Sequence, residues 1–170
     1  MKRILRIAPF VVLAALVGIQ FFHPAKNLSV TPPPHQIEAT FSVPVNVSEL
    51  LHRECYDCHS NATNYPWYTE IQPIGWFLAH HINDGKHDLN FDEFSSYRPM
   101  RQYRRLKQIS DLVNKGEMPL PSYLWIHRNA TPSTAEKQLL EAWTTAMRDS
   151  MKVHYPVDSL ERKASSQPSR

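Results

Sequence analysis

The segment that most restricts this chain is Cys55-Tyr56-Asp57-Cys58-His59, which holds its only two cysteines. Two cysteines in an exported protein usually pair, and C-x-x-C also suits a redox-active dithiol. A disulfide across so short a loop removes little chain entropy, however, and no alternating strand and helix pattern surrounds it as in a thioredoxin-like fold. Zinc is a second possibility, with Cys55, Cys58 and histidines drawn from His59, His80, His81 and His87. Structural zinc sites normally bring a second spaced ligand pair, which does not follow here, and adjacent Cys58 and His59 are awkward ligands for one ion. C-x-x-C-H is also the attachment pattern of c-type haem, the reading that employs all three side chains. The thiols then add across the two vinyl groups of the porphyrin, and His59 meets the iron from one face.

That reading requires export. Lys2, Arg3 and Arg6 precede an uncharged apolar run from Ile7 to Phe22, the layout of an export signal. Sixteen such residues, at ~1.5 Å each, reach ~24 Å of a ~30 Å hydrocarbon core, with Ile4 and a snorkelling Arg6 extending the span. No small-x-small cleavage pattern closes the run and no cysteine directly follows it to carry a lipid. Residues 1–22 are therefore predicted to be an uncleaved single-pass transmembrane signal anchor of a bacterial inner membrane. Positive charge before the run places the rest of the chain in the periplasm. A net charge of +3, dispersed along the chain, argues against a nucleic-acid partner.

Residues 23–45 are rich in proline and polar residues and read as an extended spacer. From residue 46 the period is helical, predicting an all-α domain over 46–155 and a disordered polar tail over 156–170. The first helix is expected to start at Asn46 or Ser48 as cap and to carry Cys55 on its last turn. A second follows Pro73, with Ile74, Phe77, Leu78, His81 and Ile82 on one face and Gly85 as its stop. A third spans Pro99 to Lys115, burying Tyr103, Leu106, Ile109 and Val113, with Gly116 as the stop. Ser133 and Glu136 have capping-box spacing ahead of a last helix that buries Leu139, Leu140, Trp143 and Met147. Aliphatic content is thin for such long loops, so a large flat ligand against Trp67, Tyr68, Trp76, Phe77 and Trp125 is one way to fill the centre.

With a haem in place, the second axial ligand decides the chemistry. Met118 follows the Gly116 stop and precedes Pro119 and Pro121, which would present its sulfur on a stiff loop. His81, with His80 beside it, is the alternative. Arg98, Arg101, Arg104 and Arg105 read as a solvated face, or as a source of one arginine for a haem propionate.

The segment from "CYDCHSN" through "FDEF", then "GEMPLPSYLWIH" and "TPSTAEKQLLEAW", resembles the bacterial haem-binding-domain family of small membrane-anchored c-type cytochromes. The resemblance covers about residues 45–147. It implies a cytochrome c-like helical domain around haem c, bound covalently by Cys55 and Cys58 and ligated by His59 and, in the "GEMP" loop, by Met118. It further implies that a carbonyl of Pro66 or Pro73 accepts the His59 N–H. The expected function is haem binding and single-electron transfer, with a redox protein as donor or acceptor and haem-attachment machinery as a further partner. The competing expectation is a haem peroxidase or gas sensor with an open distal side, assisted by His80, His81 or His127. A thiol-redox or purely structural module is the third.

Overall fold

The computed structural model describes residues 2–161. The elements are α1 (Lys2–Ile19), α2 (Val45–Glu54), α3 (Tyr56–His59), α4 (Ile74–Asp88), α5 (Pro99–Lys115), α6 (Pro121–Leu124), α7 (Thr134–His154) and α8 (Val157–Leu160). Tight 3-10 turns lie at Ile37–Ala39, Trp67–Glu70, Phe91–Ser96 and Arg128–Ala130. Among the described residues every regular element is helical, apart from an isolated antiparallel bridge between Leu28 and Ala62.

Two long helices form the frame. α5 starts with Pro99 in its first turn, where a missing N–H costs nothing, and ends at Gly116, whose φ of 73° is the left-handed stop that glycine accepts without strain. α7 begins with a complete capping box, in which the Ser133 hydroxyl accepts from Glu136 N–H and the Glu136 carboxylate accepts from Ser133 N–H. The two helices pack against each other along Tyr103, Leu106, Ile109 and Val113 of α5 and Leu140 and Trp143 of α7, all buried as the helical period predicts. Phe91 and Phe94, both 0% exposed, plug the end of this core. Burial of each contributes about 1.5–3 kcal/mol.

Several expectations are corrected. α2 starts one residue after Pro44 with no side-chain cap, so neither Asn46 nor Ser48 serves as one. α4 runs through Gly85 to Asp88. Of its apolar stripe only Ile82 is fully buried, while Ile74 and Phe77 stand exposed. Residues 23–45 are not a free spacer. Ile37 and Phe41 sit in the main core, the Asn27 amide donates to Ser60 O and Thr63 Oγ1, and Ser29 N–H donates to Asn61 O. Prolines limit the chain's alternatives without preventing two well-placed apolar residues from docking. The expected disordered tail begins instead as α8, which buries Leu160 against α5. Its remainder beyond Glu161 lies outside the described residues.

α1 carries basic residues in its first turns and Pro9 inside it. Its uncharged stretch, residues 7–19, rises only ~20 Å, against the ~30 Å of a hydrocarbon core. No helix among the described residues is long and apolar enough to cross a membrane. Apolar side chains of α1 from Ile7 to Val17 are nevertheless exposed, Phe10 by 72%, and its end is tied to the domain. Gln20 Nε2 donates to Gln72 O, Gln72 N–H donates to Gln20 Oε1, and the Trp76 indole donates to Phe22 O.

Candidate functional site

Cys55 is the joint between α2 and the single turn of α3. Its N–H continues α2 by donating to Leu51 O, and its carbonyl accepts from Cys58 and His59 N–H. This holds Cys55, Cys58 and His59 on one short turn. The His59 Nδ1–H lies 3.0 Å from Gly85 O and 2.9 Å from Leu89 O. Both partners are carbonyls, so Nδ1 carries the proton and Nε2 is left with its lone pair. These acceptors come from the last turn of α4 and the residue after it, which corrects the expectation of a Pro66 or Pro73 carbonyl. Burial pushes the His59 pKa down despite the two carbonyls, so the ring is a neutral donor.

Gly85 makes this approach possible. A Cβ there would lie 2.9 Å from Cys58 O and 3.4 Å from the Cys58 Cβ and His59 Cε1. It is a close-contact glycine inside a helix, not a helix stop. Asp57 ties the motif to α6, where Tyr123 Oη–H donates to Asp57 Oδ2 at 2.8 Å, and Thr63 Oγ1 donates to Asp57 O at 2.7 Å. Behind the motif, Asn61 N–H donates to the Asp92 carboxylate at 2.7 Å and Asn90 Nδ2 donates to Asn61 Oδ1 at 2.8 Å.

Three adjoining cavities surround the motif. The larger of the two that border His59 is walled by Cys55, His59, Gly85, Leu112, Met118 and Arg105 among others. A second brings Cys55, Cys58, His59 and Met118 around one space, with His81 and Tyr123. A third extends from Cys58 past Tyr68, Phe77, His81, Tyr123 and Ile126.

Met118 reaches this space from the α5 stop, where Leu112 O accepts from both Glu117 and Met118 N–H. His81 borders the second cavity with Nδ1 2.8 Å from Phe77 O. His80 is directed elsewhere, pairing with Asp84 at 3.2 Å. His127 is hydrogen-bonded to Tyr68 Oη at 2.6 Å and stacked on Tyr123. Of the aromatics expected to line a flat ligand, Tyr68 and Phe77 border the third cavity, whereas Trp67 and Trp125 are 77% and 78% exposed.

The cysteines form no disulfide. Burial pushes the Cys55 thiol up to about 12 and the Cys58 thiol up to about 11, with neighbouring carboxylates adding to the effect. Both are protonated thiols at neutral pH, unlike the exposed low-pKa thiolate of a redox dithiol. Among the described residues there is no cluster of three or more His, Cys, Asp and Glu side chains that could hold a metal ion.

Pattern reading singled out Cys55, Cys58, His59 and Met118, which border one cavity, but not the contacts of Gly85, Leu89 and Tyr123 with the motif or the cavity position of Arg105. A glycine on an otherwise helical face was the available signal for the first. The rest depend on contacts between segments distant in sequence.

A family model described as a haem-binding domain matches residues 14–146. Searches of curated proteins and of solved structures found no significant match. The residues present fit such a cofactor: mainly apolar walls, a neutral imidazole with Nε2 unused, a thioether on the same cavity, and a buried, unpaired Arg105 Nε–H.

Proposed function

For a chain that belongs to the haem-binding domain family, we propose a periplasmic c-type cytochrome that carries single electrons. The observation that supports this most directly is the convergence of Cys55, Cys58, His59 and Met118 on one cavity. Cys55 and Cys58 would hold the haem as thioethers, and His59 Nε2 and the Met118 sulfur would ligate its iron. Bound haem supplies a one-electron couple between ferric and ferrous iron. The protein's part is to fix that couple. Nδ1–H donation to Gly85 O and Leu89 O orients the imidazole and raises its basicity. Ligation by the Met118 sulfur would favour a higher potential and leave no open site for oxygen. Ile109, Leu112 and Val113 line the largest part of the site and exclude water.

α1, with its exposed apolar side chains, holds the domain at a bacterial inner membrane. Its partners in this reading are a redox protein on each side of the electron transfer and the haem-attachment machinery. Alkaline carbonate extraction tests the anchor, since recovery of the chain in the wash would exclude it.

Expression with haem-attachment machinery tests the cofactor: the chain should stain for haem on a denaturing gel. Met118→Ala should remove the far-red ferric band of Met ligation and lower the potential. An unchanged spectrum in that variant would instead favour His81, whose place on the same cavity supports it as a second reading of the distal ligand. Rapid carbon monoxide binding by the resting protein would favour a gas-binding or peroxidase role over the carrier.

A further inference from the structure

Resting on the haem reading, we propose that Arg105 is the positioning residue that receives a carboxylate of the haem propionates, with Nε–H as a donor. The cavity walls carry little charge of the required sign. Among the side chains that line the three cavities, Arg105 is the only Arg or Lys. Haem brings two carboxylates, and burying an anion without a partner is costly.

The guanidinium is already set for this task. Its side chain is 17% exposed, Nη1–H donates to Gln108 Oε1 at 2.8 Å, and Nη2–H donates to Asp88 Oδ1 at 3.1 Å. Two contacts thus fix the plane of the fork, and Nε–H has no acceptor although it is buried. Two other buried arginine Nε–H groups lack acceptors, those of Arg101 and Arg148, but their environments differ. Arg101 lies 4.0 Å over the Tyr97 ring and Arg148 4.2 Å over the Tyr103 ring, so each guanidinium has an aromatic face as its partner. Arg105 has the cavity instead. An arginine suits this role because its planar fork presents parallel donors to a carboxylate and stays charged at any working pH. The expected solvated face of Arg98, Arg101, Arg104 and Arg105 is therefore divided. Arg104 is exposed, while Arg105 turns to the site.

The test uses the full chain matured with haem, in wild-type form and as Arg105→Gln, Arg105→Lys and the control Arg104→Gln. The readouts are the reduction midpoint and its dependence on pH from 5 to 8. Glu54, Asp88, His59 and Cys55 also face this space. They are common to all four proteins, so any difference reports the substitution. Removing a cation that pairs with the propionate would leave its negative charge uncompensated, which favours ferric over ferrous iron and raises the carboxylate's affinity for a proton. Arg105→Gln should therefore lower the midpoint at pH 8 and make it fall more steeply with rising pH. Arg105→Lys should lie between it and wild type, and Arg104→Gln should match wild type. A haem-loaded Arg105→Gln with the wild-type midpoint and pH profile would overturn the proposal, as would equal effects from Arg104→Gln. Should Arg105→Gln fail to accumulate, Arg105→Lys decides alone, because a wild-type profile there shows that the fork is not used. A colourless wild-type protein would overturn the haem reading itself, and the carboxylate site with it.

Discussion

On the His59 side of the cavity the ring is held through two backbone carbonyls, whereas on the Met118 side the sulfur is carried by a chain that has just left α5. The first arrangement is set by packing of α3 on α4, with Gly85 allowing the contact. The second depends on a helix stop and on the Leu112 carbonyl that accepts from Glu117 and Met118. Backbone acceptors fix a ligand more firmly than a loop does, since moving them means moving a helix. In the proposed carrier, the proximal side is the rigid reference and the distal side is where the potential is tuned.

The covalent edge should fail most completely. In the double substitution Cys55→Ser and Cys58→Ser, haem staining on a denaturing gel is expected to vanish. Retained staining would break the assignment of both thiols. Next in size is the proximal contact itself. Gly85→Ala places a Cβ 2.9 Å from the Cys58 carbonyl, where backbone must yield. Overpacking of this kind costs about 1–3 kcal/mol. The denaturant midpoint should fall accordingly, and haem incorporation with it. A variant as stable as wild type would mean that α3 and α4 are not held at this spacing.

The distal counterpart is Gly116→Ala. At φ 73° a Cβ is disfavoured by about 1–2 kcal/mol, although open space surrounds the position. The expected loss is smaller than at Gly85 and should be accompanied by a weaker Met-ligation band. If the two glycine substitutions exchanged these effects, with Gly116→Ala the more damaging to stability, the contrast between rigid and tunable sides would be reversed.

What the sequence could and could not reveal follows the same division. Local signals were readable: the Ser133 to Glu136 box, the Gly116 stop and the C-x-x-C-H turn each lie within a few residues. The α5 stripe was readable because its period alone decides which residues meet α7. Contacts set by distant segments were not. Gly85 looks like a stop until Cys58 is seen against it, and Arg105 looks solvated until Leu112 and His59 are seen to share its cavity. Residues 23–45 misled for a related reason, since proline content predicts extension but does not say whether Ile37 and Phe41 find a groove.

The smallest effect concerns the support behind the proximal side. Arg53, next to the buried Glu54 that leads into Cys55, reaches across to Glu136 of the α7 capping box. Hydrogen bonds from Ser133 and then Arg53 lower the Glu136 pKa from 4.5 to about 2. A carboxylate whose pKa is depressed on folding contributes stability above its unfolded pKa and loses it as pH falls toward its folded one. The contribution is therefore present at pH 5 and above, and fades between about 4.5 and about 2. Ser133→Ala should cost roughly 1 kcal/mol at neutral pH, the usual worth of a cap. In a thermal-melt series it should also make the acid-side decline over that window shallower than in wild type. Parallel declines would show that Glu136 gains nothing from Ser133. Because the group is partly exposed, added salt should shrink the Arg53 part of the effect and leave the cap. The haem-site spectrum should not change, because α7 supports α2 without bordering the cavity on which Cys55, His59 and Met118 converge.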